Sequence, residues 1–509
     1  MLKFYNDLVK DKQEFKPLDP DGKQVLVYVC GPTVYDSPHI GHARAAIVFD
    51  ILRRYLLHKG YDVTFVSNYT DVDDKMINRA EEEGIAIEKL ADKYIKEYEY
   101  VMHALNVVPP DIKPKATETI DAMIELIQKM IANEYAYISN GSVYYAVDKY
   151  DDYKTLFMRK PQKDQEDSCI YEPLDESQTV DSSEIIGDKL CEDDFALWKK
   201  AKPGEPKWKS PWGEGRPGWH IECSAMAYKF LGEEIDIHGG GKDLIFPHHT
   251  NEIAQTFAAV GTKLARFWIH NGFVTIDNEK MSKSVGNFFT IEEVLKKYEA
   301  AVIRLLLSSI NYRKPINYST ESLDDARENL SKILEFYETV KTLATVEDQD
   351  EMSNGIQGLK KEIEKLREEF YAAMDDDLNL ANGLSQVYQL IRTCNKWILE
   401  QGKEIDKETK EYILAFMLSF SSIYGILIDG QKQELGVFGI QKSNIDDLID
   451  KKEEEISELM ELILTVRNKL RNEKMYDVAD EIRDKLQKIG FELDDMKEKT
   501  LWKYSPEND

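Results

Sequence analysis

Residues 25–50 constrain the fold more than any other stretch of the chain. The run Val25-Leu26-Val27-Tyr28-Val29 is β-branched and aromatic without polar alternation, the pattern of a strand covered on both faces of a parallel sheet. Cys30 ends it and Gly31-Pro32 turns the chain. After His39-Ile40-Gly41-His42, a run rich in Ala, Ile, Leu and Phe reads as a buried helix that stops before Gly60. A strand that feeds a helix through a His/Gly turn favours phosphate chemistry, because the first helical turn offers unpaired N–H groups and the positive end of the helix dipole. Gly41 admits a ligand close to the backbone. His39 and His42 are three apart, so both imidazoles reach one side of the turn, placed to donate to oxygens that gain charge in a transition state. Read alone, the two histidines fit a purely structural turn equally well.

Asp62-Val63-Thr64-Phe65-Val66 reads as a second strand, which completes a strand-helix-strand unit with a parallel pair. Its polar exit, residues 67–75, lies where such sheets present ligands, although the acids there serve equally as helix N-caps. Residues 75–106 and 117–133 predict surface helices, and residues 136–147 a hairpin turning at Asn140-Gly141. These form an insertion between two halves of the sheet. Residues 160–194 are acidic and aromatic-poor, which predicts a flexible surface excursion without chemistry. A short strand at 234–237, a helix opening at Pro247, a strand at 266–275 and a polar Ser/Gly loop at 277–287 follow, then a helix from Ile291. Helical patterns at 323–345, 356–374, 380–401, 411–428, 456–472 and 478–489 predict an all-helical C-terminal third.

The balance of 66 Lys+Arg against 94 Asp+Glu, a net charge of −28, argues against binding nucleic acid through global positive charge but leaves local patches open. Arg467, Lys469, Arg471 and Lys474, with Leu501-Trp502-Lys503-Tyr504 at the end of the chain, form one such patch. It suits contact with single-stranded RNA bases, and suits an exposed salt-bridged helix pair as well. The cysteines Cys30, Cys169, Cys191, Cys223 and Cys394 are odd in number and scattered, which fits a reducing cytoplasm. The longest uncharged run, 413–428, is shorter than the ~20 residues that span a bilayer, so no membrane segment is expected.

Two further sets carry chemistry. His248 and Glu252 share a helix face at i,i+4. With Cys30 at a strand end and Cys223 near a helix start they make a Cys₂-His-Glu set suited to zinc, and the carboxylate points to a zinc that meets a substrate. No Cys-x-x-Cys pair supports the grouping, and a capping histidine, a polar i,i+4 pair and two buried thiols read the same way. Lys280 and Lys283, three apart in the Ser/Gly loop, suit a polyphosphate clamp or a merely solvated loop.

Together, His39-Ile40-Gly41-His42 and Lys280-Met281-Ser282-Lys283-Ser284 resemble, in order and separation, the paired signatures of class I aminoacyl-tRNA synthetases. More narrowly, four runs resemble the cysteinyl-tRNA synthetase family: Tyr28-Val29-Cys30-Gly31-Pro32-Thr33-Val34-Tyr35-Asp36, Gly218-Trp219-His220-Ile221-Glu222-Cys223-Ser224-Ala225-Met226, His238-Gly239-Gly240-Gly241 and Phe246-Pro247-His248-His249. The resemblance runs from Leu2 to about Trp502. It departs at Thr250, where a carboxylate is common, and in the excursion at 160–194, which is longer than the usual connection.

The resemblance implies an α/β fold: a Rossmann-like parallel-sheet catalytic domain in two halves (1–110 and 216–320) split by a connective insertion (111–215), then a helical bundle (321–430) and a small anticodon-binding domain (431–509). It implies ATP-dependent activation of L-cysteine to cysteinyl-adenylate and transfer to the 3′ end of tRNA(Cys). On the matching positions, His39 and His42 stabilise the α-phosphate, Lys280 and Lys283 hold the leaving pyrophosphate, and Gly41, Asn271, Gly272 and Val274 complete the ATP site, with Mg²⁺ accompanying ATP. Cys30, Cys223, His248 and Glu252 hold one zinc, which binds the substrate sulfur. Thr70, Trp219 and His238 line the cysteine pocket, and Arg471, Asp480 and Asp495 read anticodon bases. Zinc binds a thiolate and barely ionises an alkanol, so it separates cysteine from serine without an editing domain. A cytoplasmic monomer is expected. A cysteine ligase that acylates a small amine would not need the long helical tail, and a non-catalytic relative should have lost signature residues that this chain keeps.

Overall fold

An N-terminal hairpin, β1 (Lys3–Asn6) and β2 (Asp11–Glu14), leads into the expected unit of β3 (Gln24–Val29), α1 (Ile40–His58) and β4 (Asp62–Ser67). The computed structural model describes residues 1–153, 156–157, 188–276, 279–280, 289–346, 353–402, 404–428, 491–495 and 500–504, in two compact units, Met1–Gln431 and Lys432–Asp509. Helix α1 is buried on most of its surface: Ile47, Val48, Ile51, Leu52, Tyr55 and Leu56 are each at most 2% exposed, and its charged Arg44, Asp50, Arg53 and Arg54 are buried too. It ends at Lys59, and Gly60 follows in the left-handed region (φ 88°).

The insertion begins with α2 (Asp74–Glu83) and α3 (Ile87–Ala104), so the single stretch expected at 75–106 is two helices, divided where Gly84 adopts φ 66°. After α4 (Ile120–Ala132) comes an antiparallel sheet of five strands: β5 (Ala136–Ser139), β6 (Ser142–Tyr145), β7 (Phe195–Lys200), β8 (Trp208–Ser210) and β9 (Gly213–Pro217), in the order β5-β6-β7-β9-β8. Asn140 and Gly141, both at positive φ, turn its first hairpin as expected. Of the acidic excursion, residues 160–187 lie outside the described residues.

The second half of the core contributes α5 (Trp219–Leu231), β10 (Ile235–Gly241), α6 (Thr250–Val260) and β11 (Ala265–Asn271). Strands β11-β10-β3-β4 hydrogen-bond in that order, all parallel. The order reverses at β3, and in such sheets ligands sit beyond the strand ends at that crevice. The helix expected to open at Pro247 does so: within 245–249 only the extended Phe246 departs from helical φ/ψ, and the chain continues into α6. One local expectation needs correction. The strand expected at 266–275 is two strands, β11 and β12 (Val274–Ile276), because Gly272 and Phe273 step the chain from one sheet to another. That second sheet holds β12 between β13 (Glu279–Lys280) and, after α7 (Ile291–Leu295) and α8 (Ala300–Leu307), β14 (Ile316–Tyr318).

Helix α9 (Thr320–Thr342), strand β15 (Ala344–Val346), helices α10 (Ser353–Asp375) and α11 (Leu380–Gln401), strand β16 (Glu404–Asp406) and helix α12 (Lys407–Tyr424) form the helical C-terminal region. One apolar core runs from Phe4 and Val27 through α1 to Phe416 and Tyr424. The joint also holds a buried ion cluster in which the Asp50 carboxylate of α1 meets Arg54 Nε at 2.8 Å and Arg304 Nη2 at 2.5 Å, while Arg304 Nε donates to Tyr424 O at 2.9 Å. Burial pushes the Asp50 carboxyl up, but the two arginines outweigh it and hold the group below its ordinary range. The second unit shows a hairpin, β17 (Phe491–Asp495) with β18 (Thr500–Tyr504), where the sequence reading has only helix. The helices expected at 456–472 and 478–489 lie outside the described residues.

Candidate active site

The strand ends of the core sheet bring together residues from four separate stretches. The Cys30 Sγ, at the exit of β3, lies 3.4 Å from Glu252 Oε1 on α6 and 3.4 Å from His238 Nε2 on β10. Glu252 Oε1 is 3.0 Å from His248 Nε2, and the donor atoms of Cys30, Cys223, His248 and Glu252 all lie within 4.8 Å of one another. Cys223, His248 and Glu252 are buried and Cys30 is half-buried. The four residues grouped from the sequence thus converge. Two sulfurs, an imidazole nitrogen and a carboxylate oxygen are a donor set that fits a zinc ion. Charges this deeply buried otherwise need compensation from one another. Burial pushes the Cys223 thiol up, but the hydrogen bond from Cys30 and the charge on His248 outweigh it and bring it to about 6; Cys30 itself is raised, by burial first. His238 and His249 form a second group with Cys30 and Glu252, so the carboxylate is flanked by imidazoles on two sides.

The three residues expected to line the amino-acid pocket surround this cluster. His238 is stacked between Tyr28 and Trp268, with ring centroids at 5.2 and 4.4 Å. Trp219 packs on His248 at 4.5 Å. Thr70 is buried and donates through Oγ1 to Glu222 Oε2 at 2.7 Å. Sequence reasoning missed the supports. Asn68 accepts from Gly31 N–H at 2.9 Å, lies 3.6 Å from Cys223 Sγ and donates to Thr70 Oγ1, which locks the exits of β3 and β4 together. A Cβ on Gly31 would stand 1.7 Å from Asn68 O, so no other residue fits there. Glu222 is fully buried, and burial pushes its carboxyl well above the usual range, so it is held neutral. His249 Nδ1 meets His270 Nε2 at 2.7 Å and His270 Nδ1 meets Asp7 Oδ2 at 2.9 Å, a chain leading from the cluster to the turn after β1. The only sequence signal for these was polar residues inside otherwise apolar elements.

At the start of α1 the two histidines are held by a capping box. His39 Nδ1 accepts from Gly41 N–H at 3.1 Å, and His42 Nδ1 accepts from His39 N–H at 3.2 Å. Each ring therefore carries its proton on Nε2, and the rings stack at 3.8 Å. Burial lowers the His39 imidazole to about 4, and burial with the neighbouring His39 ring holds His42 well below its ordinary range, so both are neutral donors at pH 7. A folded-state pKa below the ordinary value of about 6.5 makes the native state favour the neutral ring. The stability this lends is complete above that value and lost as pH falls toward 4. Histidine-selective ¹⁵N NMR should accordingly show the His39 ring unchanged from pH 8 to 5.5 and titrating near pH 4. A midpoint near 6.5 would place that ring in water.

The turn also meets the far half of the sequence. His39 bridges Thr290, Ile40 N–H donates to Phe289 O at 3.4 Å, and Ile291 N–H to Pro38 O at 3.0 Å. Segment 281–288, which includes Lys283, lies outside the described residues. Lys280, before it, pairs with Thr275 on β12, and Thr290, after it, bridges His39. Asn271, at the end of β11, is buried with no partner for its Oδ1 among the described residues, and Gly272 and Val274 follow it. Arg471 and Asp480 lie outside the described residues, and Asp495 ends β17.

A parallel sheet with its crevice at β3, a histidine turn at a helix start and a lysine-bearing segment led back to that turn define a class I aminoacyl-tRNA synthetase. Residues 15–328 match the family model of the class I (C) tRNA synthetase catalytic domain, and residues 369–428 match the DALR domain. The chain is 46% identical to the cysteine--tRNA ligase of Pyrococcus abyssi, over 99% of this chain and 98% of that one. It is 44% identical to that of Thermococcus gammatolerans and 43% to that of Aquifex aeolicus, over 99% of each chain. The chain belongs to the cysteine--tRNA ligase family. Among solved structures, the fold is similar to Mycobacterium tuberculosis methionyl-tRNA synthetase in complex with methionyl-adenylate, at TM-score 0.58 and 18% identity over 79% of this chain and 89% of that one. Among the described residues no helix is long and apolar enough to cross a membrane.

Proposed function

We propose that the chain is a ligase that activates L-cysteine with ATP to cysteinyl-adenylate, releasing pyrophosphate, and transfers the cysteinyl group to the 3′ end of tRNA(Cys). The observation that carries this reading is the convergence of the Cys₂-His-Glu cluster and the histidine turn at the ends of one parallel sheet, in a chain of this family. The acidic excursion and Thr250, where the chain departs from the family pattern, leave the four cluster positions intact.

In the activation step, the cysteine carboxylate attacks the α-phosphorus of ATP and pyrophosphate leaves. The Nε2–H groups of His39 and His42 donate to the α-phosphate oxygens as charge builds there, and Gly41 lets the phosphate approach the helix start. Lys280 and Lys283 hold the leaving pyrophosphate, while Asn271, Gly272 and Val274 flank the adenine. Magnesium arrives with ATP. Cys30, Cys223, His248 and Glu252 would hold a zinc ion, which supplies a soft Lewis acid for the substrate sulfur and so prefers cysteine to serine. Thr70, Trp219 and His238 enclose the amino acid, with neutral Glu222 behind Thr70 to fix its hydroxyl. The division of labour proposed along the chain follows the boundaries expected from the sequence, with 431–509 recognising tRNA through Arg471, Asp480 and Asp495. The setting is the cytoplasm and the active form a monomer.

Cysteine-dependent exchange between pyrophosphate and ATP, with and without tRNA(Cys), tests the reading. A chain ending at Gln431, the boundary of the first compact unit, should keep that exchange and charge tRNA at least ~10²-fold less efficiently, mainly through its KM for tRNA. Charging at full efficiency by the shortened chain would remove residues 432–509 from tRNA recognition. The absence of exchange in the intact chain would overturn the activity.

A further inference from the structure

Five arginines are buried among the described residues, and four of them meet a carboxylate: Arg53 meets Asp111, Arg54 and Arg304 share Asp50, and Arg216 meets Asp74 and Glu205. Arg44 does not. It is fully buried, and no described carboxylate lies within ion-pair distance of its guanidinium. Its partners are four backbone carbonyls: Nε donates to Gly272 O at 3.2 Å, Nη1 to Leu307 O at 2.9 Å, and Nη2 to Tyr312 O at 3.2 Å and Lys314 O at 2.8 Å. Burial alone lowers its pKa, to about 10, so it stays charged at neutral pH. A cation held only by carbonyl dipoles is an expensive way to brace a core that apolar side chains would fill.

What the four carbonyls have in common is their place. Arg44 is two residues past His42 on α1. Gly272 lies between Asn271, whose buried Oδ1 has no partner among the described residues, and Val274. Gly272 N–H donates to Tyr312 O at 2.8 Å, and a Cβ on Gly272 would stand 2.4 Å from Lys314 O. The chain is therefore pressed against the very loop that Arg44 grips. From that loop β14 runs parallel to β12, and β12 pairs with Lys280. One planar fork with five fixed donors thus ties the histidine turn to the β11–β12 junction and to the strand that carries the first signature lysine, a geometry that the single ammonium of lysine cannot reproduce.

We propose that Arg44 is a positioning residue for ATP. It sets the distance between the histidine turn, which faces the α-phosphate, and the Asn271–Val274 and Lys280 segments, which face the adenine and the pyrophosphate. One nucleotide has to span both halves of the sheet, and the error allowed between them is a fraction of an ångström. This inference rests on the assignment of those three segments to ATP.

The test uses the full-length, metal-loaded chain with ATP and cysteine as probes. Arg44→Lys keeps the charge and loses the fork. It should raise the KM for ATP at least ~10-fold and lower the kcat of pyrophosphate exchange by a similar factor, with the KM for cysteine and the bound-metal stoichiometry within twofold of the intact protein. A lower Tm with the KM for ATP unchanged would make Arg44 a structural brace only. Equal rises in both KM values would mean general distortion of the cleft. Either result overturns the proposal. Should Arg44→Lys not accumulate as folded protein, Arg44→Gln, which keeps a planar amide donor and removes the buried charge, should give the same ATP-selective signature, with the same two overturning results. If the intact chain shows no cysteine-dependent exchange, the functional reading fails; if it does and the variants keep normal ATP kinetics, only the role of Arg44 fails.

Discussion

Cys223→Ser should strip the metal from the chain and lower cysteine activation by ~10²-fold or more, while the affinity for ATP alone stays within twofold. The substitution changes one atom of a buried side chain and leaves packing nearly intact. The change therefore isolates chemistry from shape. Sulfur here sits beside Cys30, its proton-sharing partner, and near His248. An alkanol oxygen in its place does not ionise near neutral pH and offers a poor ligand to a soft ion. The residues proposed for the nucleotide belong to the α1 turn and the β11–β12 junction, so ATP has no reason to feel the loss. Metal content after dialysis and the KM for cysteine in pyrophosphate exchange are the measurements. A variant that keeps one tightly bound zinc would remove Cys223 from the metal site, and one that loses zinc yet activates cysteine normally would separate the metal from recognition of the thiol.

How much of this was legible in the sequence depends on whether a feature is local. Strand β3, helix α1 and the Asn140-Gly141 hairpin were readable because a run of side chains, a helix stop or a pair of positive-φ residues declares each within a few positions. The candidate metal cluster was only half readable: residue type and position grouped its four members, while spacing left a capping histidine and buried thiols equally open, and the resemblance favoured zinc. Glu252 and Cys30 are 222 positions apart and meet across neighbouring β3 and β10, a juxtaposition that no local pattern declares. The supports of the site were illegible for another reason: Arg44 spends its donors on carbonyls, which every residue has, so no pattern of side chains could name its partners. The tail hairpin was missed because Phe491–Asp495 and Thr500–Tyr504 are short and follow a long helical pattern, and two brief strands do not outweigh such a pattern in a window.

His42→Ala should lower the single-turnover rate of adenylate formation by ~10²–10³-fold, the loss seen when one preorganised donor to a developing oxyanion is removed. The ring also caps its helix, since its Nδ1 takes the His39 N–H, and losing such a bond costs about 1 kcal/mol of stability. The two roles separate with His42→Gln. Glutamine at the third helical position can accept from the cap residue's N–H and keep an N–H donor beyond it, so this variant should regain the stability of the intact chain and part of its rate. Binding of cysteine without ATP should be unaffected in both. The neutral state of the rings adds a sharper condition. Because burial holds His39 to about 4 and His42 well below its ordinary range, both rings are neutral through pH 8 to 6, and the ratio of intact to His42→Ala rates should stay constant across that range. A ratio that climbs as pH falls toward 6 would mean that the imidazolium is the donor and that the turn is wetter than its packing suggests. A His42→Ala chain that forms adenylate at the intact rate would leave His42 with its cap and nothing more.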